Sequence, residues 1–167
     1  MRKTVLSCAV LLLCALPLAA QSRPRTATEA VRGTFQSVNR KVLEMAKDFP
    51  ADKYDFKLKP EMRSFGEVMV HLVSGNAYAA KIGRGEKANW DEIDAKDYQS
   101  KDQVVALMEK TIADSEASLK AISDTKLAQS AQPWLSVTEH NAEHYGLLVA
   151  YYRANGLVPP ETRRGAQ

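Results

Sequence analysis

Ser136-Val-Thr-Glu-His140-Asn-Ala-Glu-His144-Tyr-Gly-Leu-Leu-Val-Ala-Tyr-Tyr-Arg-Ala-Asn155 is the stretch from which the architecture can be read. Val137, His140 (with Asn141), His144, Leu148 and Tyr151 recur in it at steps of three and four. That is the period of an α-helix with one face turned to a core. His140 and His144 are four residues apart, so one imidazole stands a turn above the other on that face. They take positions where a bundle helix carries Leu or Ile. Polar groups that face a core need partners, because burying them unpaired is costly. Either the two imidazoles are hydrogen-bonded pairwise or they hold a metal ion.

Three more segments carry the same signature. Thr26-Ala-Thr-Glu29, Ser64-Phe-Gly-Glu67 and Ser100-Lys-Asp-Gln103 fit the capping box, as does Ser136-Val-Thr-Glu139. In that box the first residue caps the N3 amide and the fourth reaches back to the cap's own amide. Each box precedes an apolar stripe of helical period. The first helix is expected from Ala27 to Phe49, with Val31, Phe35, Val38, Val42, Met45 and Phe49 inward and Pro50 ending it. The second runs from Phe65 to Ile82, with stripes on two adjoining faces. The third runs from Lys101 to Ile122, with Val105, Met108, Ile112, Ser115, Leu119 and Ile122 inward. The fourth runs from Ser136 to Asn155, where Asn155-Gly156 supplies a C-cap and Pro159-Pro160 bars continuation. No segment alternates with period two, so no sheet is expected. The link Gly83–Gln99 is about seventeen residues, a reach of roughly 55 Å when extended. An eighteen-residue helix is only about 27 Å long. The link can therefore run back along the bundle. The fold class is all-α: a four-helix bundle, up-down-down-up, with long connecting loops.

The first twenty residues belong to something else. Arg2 and Lys3 precede an apolar run, Val5 to Leu16, then Pro17 and the small pair Ala19-Ala20. This is a secretory signal peptide, too short to span a membrane, with cleavage expected after Ala20. Residues 21–167 then form a single domain that is exported, periplasmic or secreted. The two cysteines, Cys8 and Cys14, lie in the removed segment. The mature chain thus has no disulfide, thiolate nucleophile or Cys-ligated zinc. Losing Arg2 and Lys3 also leaves 21 basic side chains of the original 23, against 20 acidic ones. That balance is no footprint for nucleic acid, and no later run is long enough for a membrane span. A homodimer is left open.

The third histidine, His71, lies in a stripe of the second helix. Metal sites in bundles are built from inward side chains on facing helices. His71, His140 and His144 would make three neutral nitrogen donors with a fourth position open, the arrangement of a catalytic zinc site. Imidazole suits nickel, copper and iron as well. His140-Asn-Ala-Glu143-His144 also matches the inverted zincin signature H-x-x-E-H. That mechanism wants a downstream carboxylate ligand, and only 23 residues remain after His144. Glu143 is the candidate general base, though its place about 100° around the helix from His144 also fits a solvated surface residue. Asn76, Asn141, Ser74 and Tyr151 are candidates to line the cavity or bond the imidazoles. Trp90 and Trp134 either wall a pocket or cover the bundle ends.

These residues resemble a known family. Phe49-Pro-Ala-Asp-Lys-Tyr-Asp-Phe-Lys-Leu-Lys-Pro60, then Met62-Arg-Ser-Phe-Gly-Glu-Val-Met-Val-His71, is similar to the DinB/YfiT-like superfamily, as are His140-Asn-Ala-Glu-His144-Tyr-Gly and Val149 to Pro160. The resemblance implies an up-down-down-up bundle holding a divalent metal on three histidines, at positions His71, His140 and His144 here. Zinc or nickel is the first expectation, with other transition metals open. It implies a metal-dependent enzyme of hydrolase or transferase type acting on a small molecule. The alternative is a non-catalytic metal- or ligand-binding bundle of the cell envelope. Relatives include transferases that use low-molecular-weight thiols and a thiol-dependent isomerase. Such thiols are held in reducing cytoplasm, whereas this chain reads as exported. Leu147 stands where many relatives carry Gln or Asn.

Overall fold

A computed structural model describes residues 25–165; the signal-peptide reading of residues 1–20 lies outside them. Among the described residues the elements are helical: α1 (Ala27–Asp48), α2 (Phe65–Gly83), α3 (Lys101–Ala121), α4 (Asp124–Gln129), α5 (Gln132–Ala154) and α6 (Pro160–Gly165). Short 3-10 turns at Ala51–Lys53 and Ala95–Asp97 interrupt the first two links. None of these helices is long and apolar enough to cross a membrane.

Three of the four capping boxes form. In α1 the Glu29 amide donates to Thr26 Oγ1 at 3.2 Å, and the Thr26 amide donates back to Glu29 Oε2 at 2.8 Å. Ser64 with Glu67 and Ser100 with Gln103 repeat the pattern at α2 and α3. The fourth box does not form. Helix α5 starts at Gln132, a full turn before Ser136, and its cap Ala131 makes no side-chain bond. Ser136 instead accepts a bond from Gln132 Nε2 at 2.9 Å inside the first turn, and Glu139 is exposed. Pro133 explains the early start, since its missing amide hydrogen falls among those a helix start leaves unbonded. Trp134 fixes it. The indole is 1% exposed and meets the Phe35 ring edge-on at 5.4 Å, which repays extending the helix by a turn. Helix α4, capped by Ser123 and burying Leu127, occupies part of the third link.

The long helices pack as a ring in which α2 touches α3 and α5, and α1 touches the same two. At one end Phe49 stacks on Phe65 at 3.8 Å and meets Tyr152 at 5.0 Å. There Tyr152 donates its hydroxyl to the Met45 carbonyl at 2.8 Å, and Lys101 Nζ bonds the carbonyls of Lys47 and Phe49. At the other end Phe35, Ala79, Leu119, Leu127, Trp134 and Val137 form a second core cluster. Ser118 of α3 donates to the Ala80 carbonyl of α2 at 3.1 Å. Contact between α2 and α3 is close enough that a Cβ on Gly83 would stand 2.6 Å from Ser118 Cβ. The buried face of α3 opens on Val104 rather than Val105, which is only partly covered.

Candidate metal centre

Helices α2 and α5 are neighbours, and that adjacency brings the three histidines together. His71 sits near the middle of α2; His140 and His144 lie on successive turns of α5. All three are partly buried, and they offer one ligand nitrogen each, all within 4.8 Å of one another. His71 Nε2 and His140 Nε2 are 2.9 Å apart. The His144 ring lies 4.4 Å from that of His140 and 4.9 Å from that of His71, centroid to centroid.

The opposite edge of each ring is engaged. His71 Nδ1 lies 2.7 Å from Glu92 Oε1, and His144 Nδ1 lies 3.0 Å from the His140 carbonyl oxygen. A carboxylate and a carbonyl only accept, so both of these rings carry a proton on Nδ1. His140 Nδ1 lies 3.1 Å from Asn141 Oδ1, and Asn141 donates its Nδ2 to Asn39 Oδ1 at 3.0 Å. Each Nδ1 therefore has an oxygen acceptor, which leaves Nε2 of each ring as the bare nitrogen, and those of His71 and His140 face each other. Two such lone pairs repel at 2.9 Å unless a proton or a cation lies between them. On one tetrahedral zinc ion two nitrogens stand roughly 3.3–3.4 Å apart, given metal–nitrogen distances of about 2.0–2.1 Å. A sub-ångström opening of the pair admits an ion, so the donor set fits a divalent metal.

The surroundings favour neutral imidazoles. Burial pushes the pKa of His140 below the ordinary value. The Asn141 bond and the charge of Glu143 act the other way, and His144 and His71 add to the lowering. His144 is lowered by the same desolvation, opposed by its carbonyl bond, with His71 and Arg63 adding to it. Glu143 is exposed.

The other sequence candidates separate. Asn141 bonds His140 directly. Ser74 accepts from the Ile93 amide at 3.0 Å and so ties the α2–α3 link to α2. Asn76 accepts from Ser115 of α3 at 3.2 Å and belongs to the helix interface. Tyr151 donates its hydroxyl to the Arg63 carbonyl, anchoring the start of α2 to α5. Trp90 walls the site: its ring and that of His140 meet in a T-shaped contact at 5.0 Å, and it stacks on Tyr78 at 5.5 Å. Trp134 covers the bundle end. Two hollows are lined by residues that contact the histidines, Glu92 in one and Trp90 in the other, though by none of the histidines themselves. One of about 350 Å³ is lined by Arg63, Glu67, Glu92, Ile93, Asp94 and Ala95. The other, of about 540 Å³, has Tyr78, Trp90, Pro133 and Ser136 in its wall. Asn39, Arg63 and Glu92 were not singled out by sequence. Asn39 sits in the buried stripe of α1 as a polar residue, and Glu92 lies in a link with no period to mark it.

Residues 34–152 match the sequence model of the DinB superfamily. The chain belongs to the DinB superfamily. The matched span takes in α2, α3 and nearly all of α5, and with them the three histidines. No curated protein matches the chain significantly.

Proposed function

We propose that the protein is a divalent-metal-dependent enzyme of hydrolase or transferase type, with His71, His140 and His144 as the ligands and a small molecule as substrate. The observation that carries this reading is the 2.9 Å approach of His71 Nε2 to His140 Nε2 with Nδ1 of both rings already engaged. Three neutral imidazoles suit zinc or nickel, and copper or iron after them. When bound, such an ion supplies Lewis acidity at an open coordination position. The chain's own residues do the rest. Glu143, whose charge raises the pKa of both His140 and His144, is assigned as the proton acceptor for the nucleophile. Trp90 screens the His140 side from water, and the hollows beside Glu92 and Trp90 receive the substrate.

The same reading includes the up-down-down-up order. Its support is that the C-terminal ends of α1 and α5 share one end of the bundle with the N-terminal ends of α2 and α3, through Phe49, Tyr152, Phe65 and Lys101. It also includes one domain over residues 21–167, exported behind a signal peptide cleaved after Ala20, on the strength of the basic, apolar and small-residue pattern there.

Cobalt substitution tests the function. The cobalt-loaded protein is expected to change its visible spectrum when a thiol or azide is added, because a ligand position is open. The metal-loaded protein is expected to turn over a member of an ester, amide and thiol-transfer panel, with turnover lost in His144→Ala. A spectrum indifferent to every added ligand, with no turnover, would replace the enzyme with a metal-holding bundle.

A further inference from the structure

The three histidines differ in where their Nδ1 partners come from. His140 uses its neighbour Asn141, and His144 uses the backbone of its own helix. His71 alone depends on a residue outside its helix, Glu92, in the link between α2 and α3. We propose that Glu92 is a positioning residue: its carboxylate holds the His71 proton on Nδ1 and thereby keeps Nε2 bare and aimed at the ion. This rests on the metal reading above.

The link is built to hold that carboxylate in place. On one side Trp90 lies against α2 at Gly75, where a Cβ would come within 2.6 Å of the ring. On the other, the Ile93 amide donates to Ser74 Oγ at 3.0 Å. Glu92 is thus pinned between two anchors on α2, within a turn of His71. Arg63 fixes the carboxylate further: its Nη2 bonds Glu92 Oε1 at 3.1 Å, the same oxygen that His71 Nδ1 meets at 2.7 Å. Arg63 is itself held through its carbonyl by Tyr151. As a plain surface ion pair the arrangement would contribute little, since Glu92 and Arg63 side chains are each 51% exposed. Its consequence lies in the tautomer. Without an acceptor at Nδ1, His71 is free to carry its proton on Nε2 and donate it to His140 Nε2, 2.9 Å away. That bond pairs the two rings and removes both as metal ligands. Outer carboxylates of this kind commonly change metal affinity by about 10–100-fold.

Glu92→Ala and Glu92→Gln test the idea with two readouts. Metal-free, ¹⁵N-labelled protein near neutral pH reports the His71 tautomer through long-range proton–nitrogen correlations, and zinc affinity is measured by competition with a chromophoric chelator. The wild type is expected to show a protonated Nδ1 on His71. Glu92→Ala is expected to shift the proton to Nε2 and to bind zinc about 10–100-fold more weakly. Glu92→Gln, whose amide oxygen still accepts, is expected to keep the Nδ1 proton and to lose less affinity. Glu92→Ala with His71 still protonated on Nδ1 overturns the proposal, whatever its affinity, and so does wild-type affinity in Glu92→Ala. A wild type that binds no zinc defeats the metal reading instead, and the tautomer comparison then still decides what Glu92 does to His71.

Discussion

Replacing Gly75 by alanine should damage the protein, and replacing Gly146 should improve it, although both glycines lie inside long helices. Intrinsic propensity favours alanine over glycine in a helix interior by about 0.5–1 kcal/mol, so in open space the change stabilises. Gly146 of α5 has that space, with nothing within 4 Å of a built Cβ. At Gly75 the same Cβ would stand 2.6 Å from Trp90 Cζ2 and 3.2 Å from two further indole atoms. The indole is stacked on Tyr78 and meets His140, and it must shift by most of an ångström to reach ordinary contact. Overpacking of this kind costs about 1–3 kcal/mol. Set against the propensity gain, Gly75→Ala should lose about 1 kcal/mol net, while Gly146→Ala should gain about 0.5–1 kcal/mol. For a chain of this size that is a melting shift of roughly 2–4 °C per kcal/mol, downward in one variant and upward in the other. Circular-dichroism melts of the metal-free proteins measure it, and zinc titration should show weaker binding only in Gly75→Ala, since Trp90 carries Glu92 with it. Equal stabilisation by both substitutions would refute the seating of Trp90 and with it the bracing of the link.

Further outcomes follow from the caps, the core and the titrating groups. Ser64→Ala should cost about 1 kcal/mol because a formed capping box is lost, whereas Ser136→Ala should stay within about 0.5 kcal/mol; urea midpoints compare them. Trp134→Ala should cost about 3–5 kcal/mol by emptying the cluster around Phe35, read from the same denaturation curves. The metal-free protein should lose stability on acidification. His140 and His144 have folded pKa values below the ordinary 6.5, so below that pH the unfolded chain binds protons that the folded one refuses. Their contribution is full above about pH 6.5 and falls as the pH drops toward the folded values, which urea midpoints at pH 7.5 and 5.5 would reveal.

What could be read from sequence was whatever is local or periodic. The boxes at Thr26, Ser64 and Ser100 involve a side chain and its own backbone three residues away, and they form as expected. The box at Ser136 has the same letters, but Trp134 gains more by burying itself against Phe35 than the chain does by capping at Ser136. That contact joins residues about a hundred apart, and no local pattern announces it. The histidines were legible because each sits at a helical step on a face shared with apolar residues, and the pairing of α2 with α5 follows from bundle packing. Glu92 and Trp90 were not legible as a pair, since an extended link has no period from which to infer a direction. Gly75 was the one trace of them: a glycine in a helix interior, where something packs closely. Asn39 was hidden for the opposite reason, being a polar residue within an apolar stripe whose partner, Asn141, lies on another helix.

Whether His71, His140 and His144 hold a metal ion is measured most directly by metal content. The protein should be purified without a histidine tag or chelating column, and its metal determined by elemental mass spectrometry beside His71→Ala, His140→Ala and His144→Ala. One transition-metal ion per chain is expected in the wild type, or one taken up on incubation with zinc or nickel, and it is expected to be lost in the variants. A wild type that is metal-free and stays so after that incubation would contradict it, and a proton would then be what lies between His71 and His140.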